Sequence, residues 1–120
     1  MSPRLVTVVV AGLATGCIER TDVVVFAGAD VERGRHVLEQ FDCGACHEIP
    51  GVRGPQGRVG PPLEQLRHRA YLAGRFENSP EMMVRWILDP PAMKPATAMP
   101  ALGLTEAQAR DVAAYLYSLE

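Results

Sequence analysis

Cysteine, histidine, lysine and tryptophan are all scarce in this chain of 120 residues: three Cys, three His, one Lys and one Trp. Each scarcity closes off a class of protein. Cys43 and Cys46 form one pair, while Cys17, His36 and His68 stand singly, so the second Cys or His pair that a structural zinc site needs is missing. The apolar run Leu5 to Thr15 (LVTVVVAGLAT) has eleven residues, too few for the ~20 of a membrane-spanning helix. Aromatic residues make up 6 %, which leaves a small chain short of core material and in need of a staple. No β-strand pattern appears in the mature chain, and a redox dithiol wants a βαβ context where the chain after His47 is rich in Gly and Pro instead. Net charge is −2, and the basic residues, eleven Arg and one Lys, are dispersed. A nucleic-acid partner would leave a basic patch, and there is none.

What the chain does have is Cys43-Gly44-Ala45-Cys46-His47. C-x-x-C-H reads as an attachment site for one covalent c-type haem. Two thiols on one turn reach the two vinyl groups of one haem edge, and the adjoining imidazole can bind iron from one face. A haem also supplies the missing staple, as a flat apolar body around which short helices pack.

The N-terminus reads as a processing segment rather than part of a fold. Arg4, the short apolar run and the small residues behind it have the layout of a secretory signal. The ending Leu13-Ala14-Thr15-Gly16-Cys17 resembles a bacterial lipoprotein signal, with Ala14 where that family prefers Leu. The resemblance implies cleavage before a lipidated Cys17; an ordinary Sec signal and an uncleaved anchor are the alternatives. The expected division is residues 1–16 as signal peptide, 17–29 as tether and 30–120 as a single haem domain. Export places the protein on the periplasmic face of a bacterial membrane, lipid-anchored through Cys17.

The rest of the chain is read as all-α, with about four short helices and long Gly/Pro-rich loops. Asp30 caps a helix from about Val31 to Phe41, with Val31, Gly34, Val37, Leu38 and Phe41 on one face. Gly34 in that helix marks a place where another helix crosses closely. Glu48 to Pro62 and Pro90 to Leu104 are loops. Leu63 to Leu72 is assigned a short helix. Ser79-Pro80-Glu81 starts the next, which runs to about Leu88 with Met83, Trp86 and Ile87 as its apolar stripe. Thr105 caps the last, with Ala109, Val112, Ala113 and Leu116 facing inward.

Iron bound by one His has a second axial position, and its occupant separates electron transfer from gas binding or catalysis. His36, His68, Met82, Met83, Met93 and Met99 are the candidates. His36 lies on the helix before the Cys pair, Met82 and Met83 sit at core-packing positions, and Met93 and Met99 lie in a Pro-rich loop.

Four segments carry a family resemblance: Gly34 to His47 (GRHVLEQFDCGACH), Gly60-Pro61-Pro62-Leu63, Trp86 to Met99 (WILDPPAMKPATAM) and Asp111 to Leu116 (DVAAYL). Together they resemble a class I c-type cytochrome of the small bacterial mono-haem kind. The resemblance implies a cytochrome c fold, with His47 and Met99 as the iron ligands and Met93 as a packing residue. It implies a Pro61 carbonyl that accepts from the ring of His47, Leu63 against the haem, Thr97 and Arg69 near the propionates, and Trp86 beside the Met face. Gly34, Leu38, Val112 and Tyr115 match the crossing of first and last helices. Ala96 stands where the family often has Gly.

The function implied is one-electron carriage in a respiratory or periplasmic chain, with no catalytic residue and no enzymatic role. The partners implied are redox proteins: a quinol-oxidising complex, a haem-copper oxidase or a dehydrogenase. A haem subunit fixed in a larger oxidoreductase or oxidase complex is the alternative, and a gas sensor or peroxidase-like protein is a third.

Overall fold

The computed structural model describes residues 26–120. The signal and most of the tether, Cys17 included, lie outside the described residues. The described part holds four α-helices, α1 (Val31–Gln40), α2 (Pro80–Leu88), α3 (Pro90–Met93) and α4 (Glu106–Ser118). Two 3-10 turns, at Cys43–Ala45 and Leu66–His68, and a minimal hairpin of β1 (Tyr71–Leu72) and β2 (Phe76–Glu77) complete it.

The helix starts obey their local chemistry. The Asp30 carboxylate accepts from Arg33 N–H, and the Ser79 hydroxyl accepts from Met82 N–H one residue ahead of Pro80. Thr105 and Gln108 form a reciprocal capping box. Such caps answer the orphan N–H groups of a first turn, which is why the sequence places these boundaries correctly.

α1 and α4 cross, and Gly34 sets how closely. A Cβ at Gly34 would lie 2.0 Å from the backbone oxygen of Asp111, so only glycine permits the approach. The crossing is stapled by charge. Asp111, 5 % exposed, accepts from Asp30 N–H at 2.7 Å and from Arg33 Nε at 2.9 Å. The core gathers Val37 and Leu38 of α1, Met83 and Ile87 of α2, and Ala109, Val112, Ala113 and Leu116 of α4. Phe26, within the expected tether, is also buried, edge-on to Tyr117 with ring centroids 5.3 Å apart.

Four expectations need correction. Val31 is 44 % exposed, so the buried face of α1 is narrower than expected and consists of Gly34, Val37 and Leu38. Leu63 to Leu72 is not a helix. Gln65 adopts a left-handed φ of 51°, only a 3-10 turn follows, and Tyr71 has already entered a strand. The hairpin was missed because its strands have two residues each, too few to show alternation. Its turn holds Ala73 and Gly74 both at positive φ, closed by Arg75 N–H to the Leu72 carbonyl at 3.0 Å. Finally, the loop after Pro90 opens with one helical turn, capped by Asp89 onto Ala92 N–H.

Candidate functional site

Beside the α1/α4 crossing lies a cleft of about 770 Å³. Leu38, Ile87, Val112 and Leu116 give it an apolar wall. Cofactor sites typically fall in the range of ~300–1,000 Å³ with apolar walls and few polar groups.

One side of the cleft is the C-x-x-C-H turn. Asp42 takes a left-handed φ of 54°, ending the run of α1 and starting the 3-10 turn. Ala45 N–H then donates to the Asp42 carbonyl at 2.9 Å, and His47 N–H to the Cys43 carbonyl at 3.1 Å. Cys43, Cys46 and His47 all line the cleft as a result. Both thiols are free of disulfide bonds. Burial pushes the Cys43 thiol up to about 11. A thiol in that state yields little thiolate, which a redox dithiol would need. Among the described residues, no group of three or more His, Cys, Asp or Glu is placed to hold a metal ion as a cluster.

The Gly-rich loop wraps this turn. Gly57 N–H donates to the Gly44 carbonyl at 2.7 Å, and Gly60 N–H to the Cys46 carbonyl at 2.8 Å. The His47 ring lies directly over Gly60, where a Cβ would come within 2.3 Å of it. Its Nδ1 is 2.8 Å from the Pro61 carbonyl. A carbonyl can only accept, so Nδ1 carries the proton and Nε2 is the nitrogen free to bind a metal.

A further part of the lining comes from the loop between α3 and α4. Met99 lines the cleft from there, with Thr97 beside it. The Thr97 hydroxyl accepts from Met99 N–H at 3.2 Å, and Thr97 N–H donates to the Lys94 carbonyl at 2.9 Å, which folds the loop on itself. Ala96 keeps φ negative, so the alanine at this position causes no backbone strain. Lys94 Nζ donates to the Ala73 carbonyl at 3.2 Å and ties the loop to the hairpin. Trp86 is half-buried in the cleft wall, its ring centroid 5.9 Å from that of Phe76.

The structure thus brings every expected site residue to one cleft: Cys43, Cys46 and His47 from the turn, Pro61, Leu63 and Arg69 from the loop segment, and Trp86, Thr97 and Met99 from later in the chain. The other axial candidates separate out. His36 and His68 are exposed and do not line the cleft, nor do Met82 and Met93, while Met83 is buried in the wall. Among the lining residues the sequence reading did not assign to the site are Val59 and Tyr71, 75 % and 61 % exposed, and Lys94. Lys94 is the only lysine in the chain and directly precedes the Pro-x-Thr-x-Met run, which was the available signal.

The fit to a haem rests on these observations: an apolar cleft of adequate volume, two thiols, an imidazole and a thioether brought to one lining by separate segments, and a glycine where the imidazole needs room. Comparison with known proteins points the same way. Residues 31–120 match the cytochrome c family. Cytochrome c oxidase subunit 2 of Alkalihalophilus pseudofirmus is 35 % identical over 89 residues, 73 % of this chain and 25 % of that protein. The corresponding subunit of Bacillus sp. strain PS3 is 33 % identical over 82 residues, 65 % of this chain and 23 % of that protein. The chain therefore spans about a quarter of the length of the curated relatives it matches. Among solved structures, SoxXA from P. pantotrophus matches with a TM-score of 0.60 and 21 % identity, over 77 % of this chain and 82 % of that one. That likeness is one of fold.

Proposed function

The chain belongs to the cytochrome c family, and from that premise we propose that it is a one-electron carrier of class I, in which His47 and Met99 would hold the haem iron. Haem c, joined covalently to Cys43 and Cys46, supplies a one-electron iron couple. The observation that carries the proposal is the convergence of His47 and Met99 on one cleft from separate segments, with the imidazole already oriented by Pro61.

The chain's own residues do the rest. Pro61 fixes the tautomer of His47 and makes the imidazole a better donor. The Met99 thioether is soft and favours ferrous iron, and the apolar wall of Leu38, Ile87, Val112 and Leu116 excludes water and disfavours the extra ferric charge. Both raise the potential, so the carrier sits in the upper range of a respiratory chain. Thr97 and Arg69 give the cleft lining polar groups that could meet the haem propionates, and Trp86 and Leu63 give it apolar surface on which the ring could pack. No step needs a proton acceptor, so the role is carriage rather than catalysis.

Redox proteins are the partners, met at the mouth of the cleft. A second reading, a haem subunit fixed in a larger oxidase or other oxidoreductase, is favoured by the names of the two curated relatives. Co-purification of a stoichiometric second chain would select it. With either reading we propose export from the cytoplasm, with residues 1–16 as signal, 17–29 as tether and a lipid on Cys17, a proposal that rests on the signal-like sequence of residues 4–17; mass spectrometry of the mature N-terminus tests this.

The test of the carrier reading is the optical spectrum of the reduced protein with and without carbon monoxide. The expected result is a c-type spectrum that ignores carbon monoxide in the wild type and responds to it in Met99→Ala. A wild-type spectrum that shifts with carbon monoxide overturns the closed site and favours a sensor or peroxidase-like role. An unchanged Met99→Ala spectrum removes Met99 as ligand.

A further inference from the structure

Asn78 stands just before the Ser79 cap of α2, and its side chain faces away from that helix start. Its Nδ2 donates to the carbonyls of Leu66 at 2.8 Å and Arg69 at 2.7 Å, and its Oδ1 accepts from the Tyr117 hydroxyl of α4. Its backbone N–H donates to the Ala70 carbonyl at 3.0 Å. The two carbonyls can only accept, so the amide has one workable orientation, and the Tyr117 hydroxyl is the donor that completes it. Segment 66–70 is thereby held against α4 by three hydrogen bonds from one residue.

The next link is Arg69. Its Nη2 donates to the Pro62 carbonyl at 2.6 Å and the Glu64 carbonyl at 3.0 Å. Pro61 and Pro62 are exposed, have no N–H, and belong to no helix or strand; the backbone is fastened on either side of them, by Gly60 N–H to the Cys46 carbonyl at 2.8 Å and Leu63 N–H to the Glu48 carbonyl at 2.9 Å, but neither proline can donate a bond of its own. Yet Pro61 supplies the carbonyl on which the His47 ring depends. Arg69 is the side chain seen to grip this stretch, and Asn78 is what holds the backbone of Arg69.

We propose that Asn78, oriented by Tyr117, is a positioning residue for His47. It anchors segment 66–70 so that Arg69 holds the Pro62 and Glu64 carbonyls and keeps the neighbouring Pro61 carbonyl on the imidazole. The inference rests on the reading of His47 as iron ligand. It makes α4, on the far side of the segment, part of the support of the imidazole.

The experiment is exchange of the His47 Nδ1 proton with solvent, followed by NMR in the ferrous haem-loaded protein. Asn78→Ala, and Asn78→Asp, which keeps the shape but aims a carboxylate oxygen at two carbonyls, should each speed exchange by about tenfold or more. Tyr117→Phe, which keeps the packing on Phe26, should act in the same direction with a smaller effect. Thr105→Ala, which loses only a helix cap, serves as the control for general loss of stability. Exchange in the Asn78 and Tyr117 variants no faster than in Thr105→Ala overturns the proposal. If the Asn78 variants fail to fold, Tyr117→Phe against Thr105→Ala decides in the same way. Failure of the axial reading would show separately, as a wild-type reduced spectrum that shifts with carbon monoxide.

Discussion

Gly60 has no room for a side chain. A Cβ there would lie 2.3 Å from Cε1 and 2.6 Å from Nδ1 of the His47 ring, and ring atoms cannot yield without leaving the Pro61 carbonyl. Gly60→Ala is therefore expected to displace the imidazole and lower the yield of low-spin haem protein, read from the reduced spectrum. A normal yield and spectrum would mean that the loop can move aside. Ala73 shows the opposite imbalance, a side chain where glycine would serve better. Its φ of 50° is the left-handed region, which costs an L-residue roughly 1–2 kcal/mol. Ala73→Gly should raise stability by about 1 kcal/mol after the entropy lost with a freer unfolded chain, seen as a higher Tm.

Among the elements, the helices carry their own start signals and the connections do not. Asp30, Ser79 and Thr105 are capping residues followed by apolar positions at helical spacing, so α1, α2 and α4 are legible from sequence. Removing a cap tests the point: Thr105→Ala should cost about 1 kcal/mol, or roughly 4–8 °C in Tm for a domain of this size. Leu63 to Leu72, expected as a helix, is not one because its shape comes from partners outside it. Leu66, Arg69 and Ala70 are held by Asn78, and the Ala73 carbonyl by Lys94. No local pattern encodes those contacts. The candidate site was more legible than its surroundings, since its chemistry is concentrated in Cys43 to His47 and in the Pro-rich run that ends at Met99. What the sequence could not disclose is the support behind these residues, Gly60 under the imidazole and the Asn78–Tyr117 pair. Gly34→Ala tests the other tight contact. Its Cβ would meet backbone at 2.0 Å, and the separation of α1 from α4 that this forces should cost at least the ~1–3 kcal/mol of an overpacked core, measured by denaturant unfolding.

For the domain taken together, acid stability draws on carboxylates held below their ordinary range, Glu39, Asp111 and Glu32. The Glu39 carboxyl is held down at about 2, from an ordinary 4.5, first by the side chain and backbone N–H of Arg53 and then by Arg35. In Asp111, burial works to raise the pKa, but the bonds from Arg33 and from Asp30 N–H outweigh it and the net shift is downward. A pKa depressed in the fold contributes stability that is complete above the ordinary value and disappears as pH falls through the folded one. The domain should therefore weaken progressively from about pH 4.5 toward about pH 2, the interval set by Glu39. Glu39→Gln should flatten that dependence when stability is followed by circular dichroism across the interval. Asp111→Asn should weaken the domain near neutral pH by about 1–3 kcal/mol, because the Asp30 N–H and Arg33 lose a charged acceptor. An acid profile of Glu39→Gln that overlays the wild type would show that other carboxylates dominate.

The burial of Phe26 on Tyr117 has a mechanical consequence. Together with the bond from Asp30 N–H to Asp111, it fastens the incoming chain to α4 at two points six residues apart, before the chain enters α1. A pull along the N-terminal segment is thus borne by the flank of α4 and by the α1/α4 seam. The turn that bears Cys43, Cys46 and His47 lies beyond those fastenings along the chain. Force entering the domain at Phe26 would therefore be shared out over the α1/α4 pair before it reached that turn.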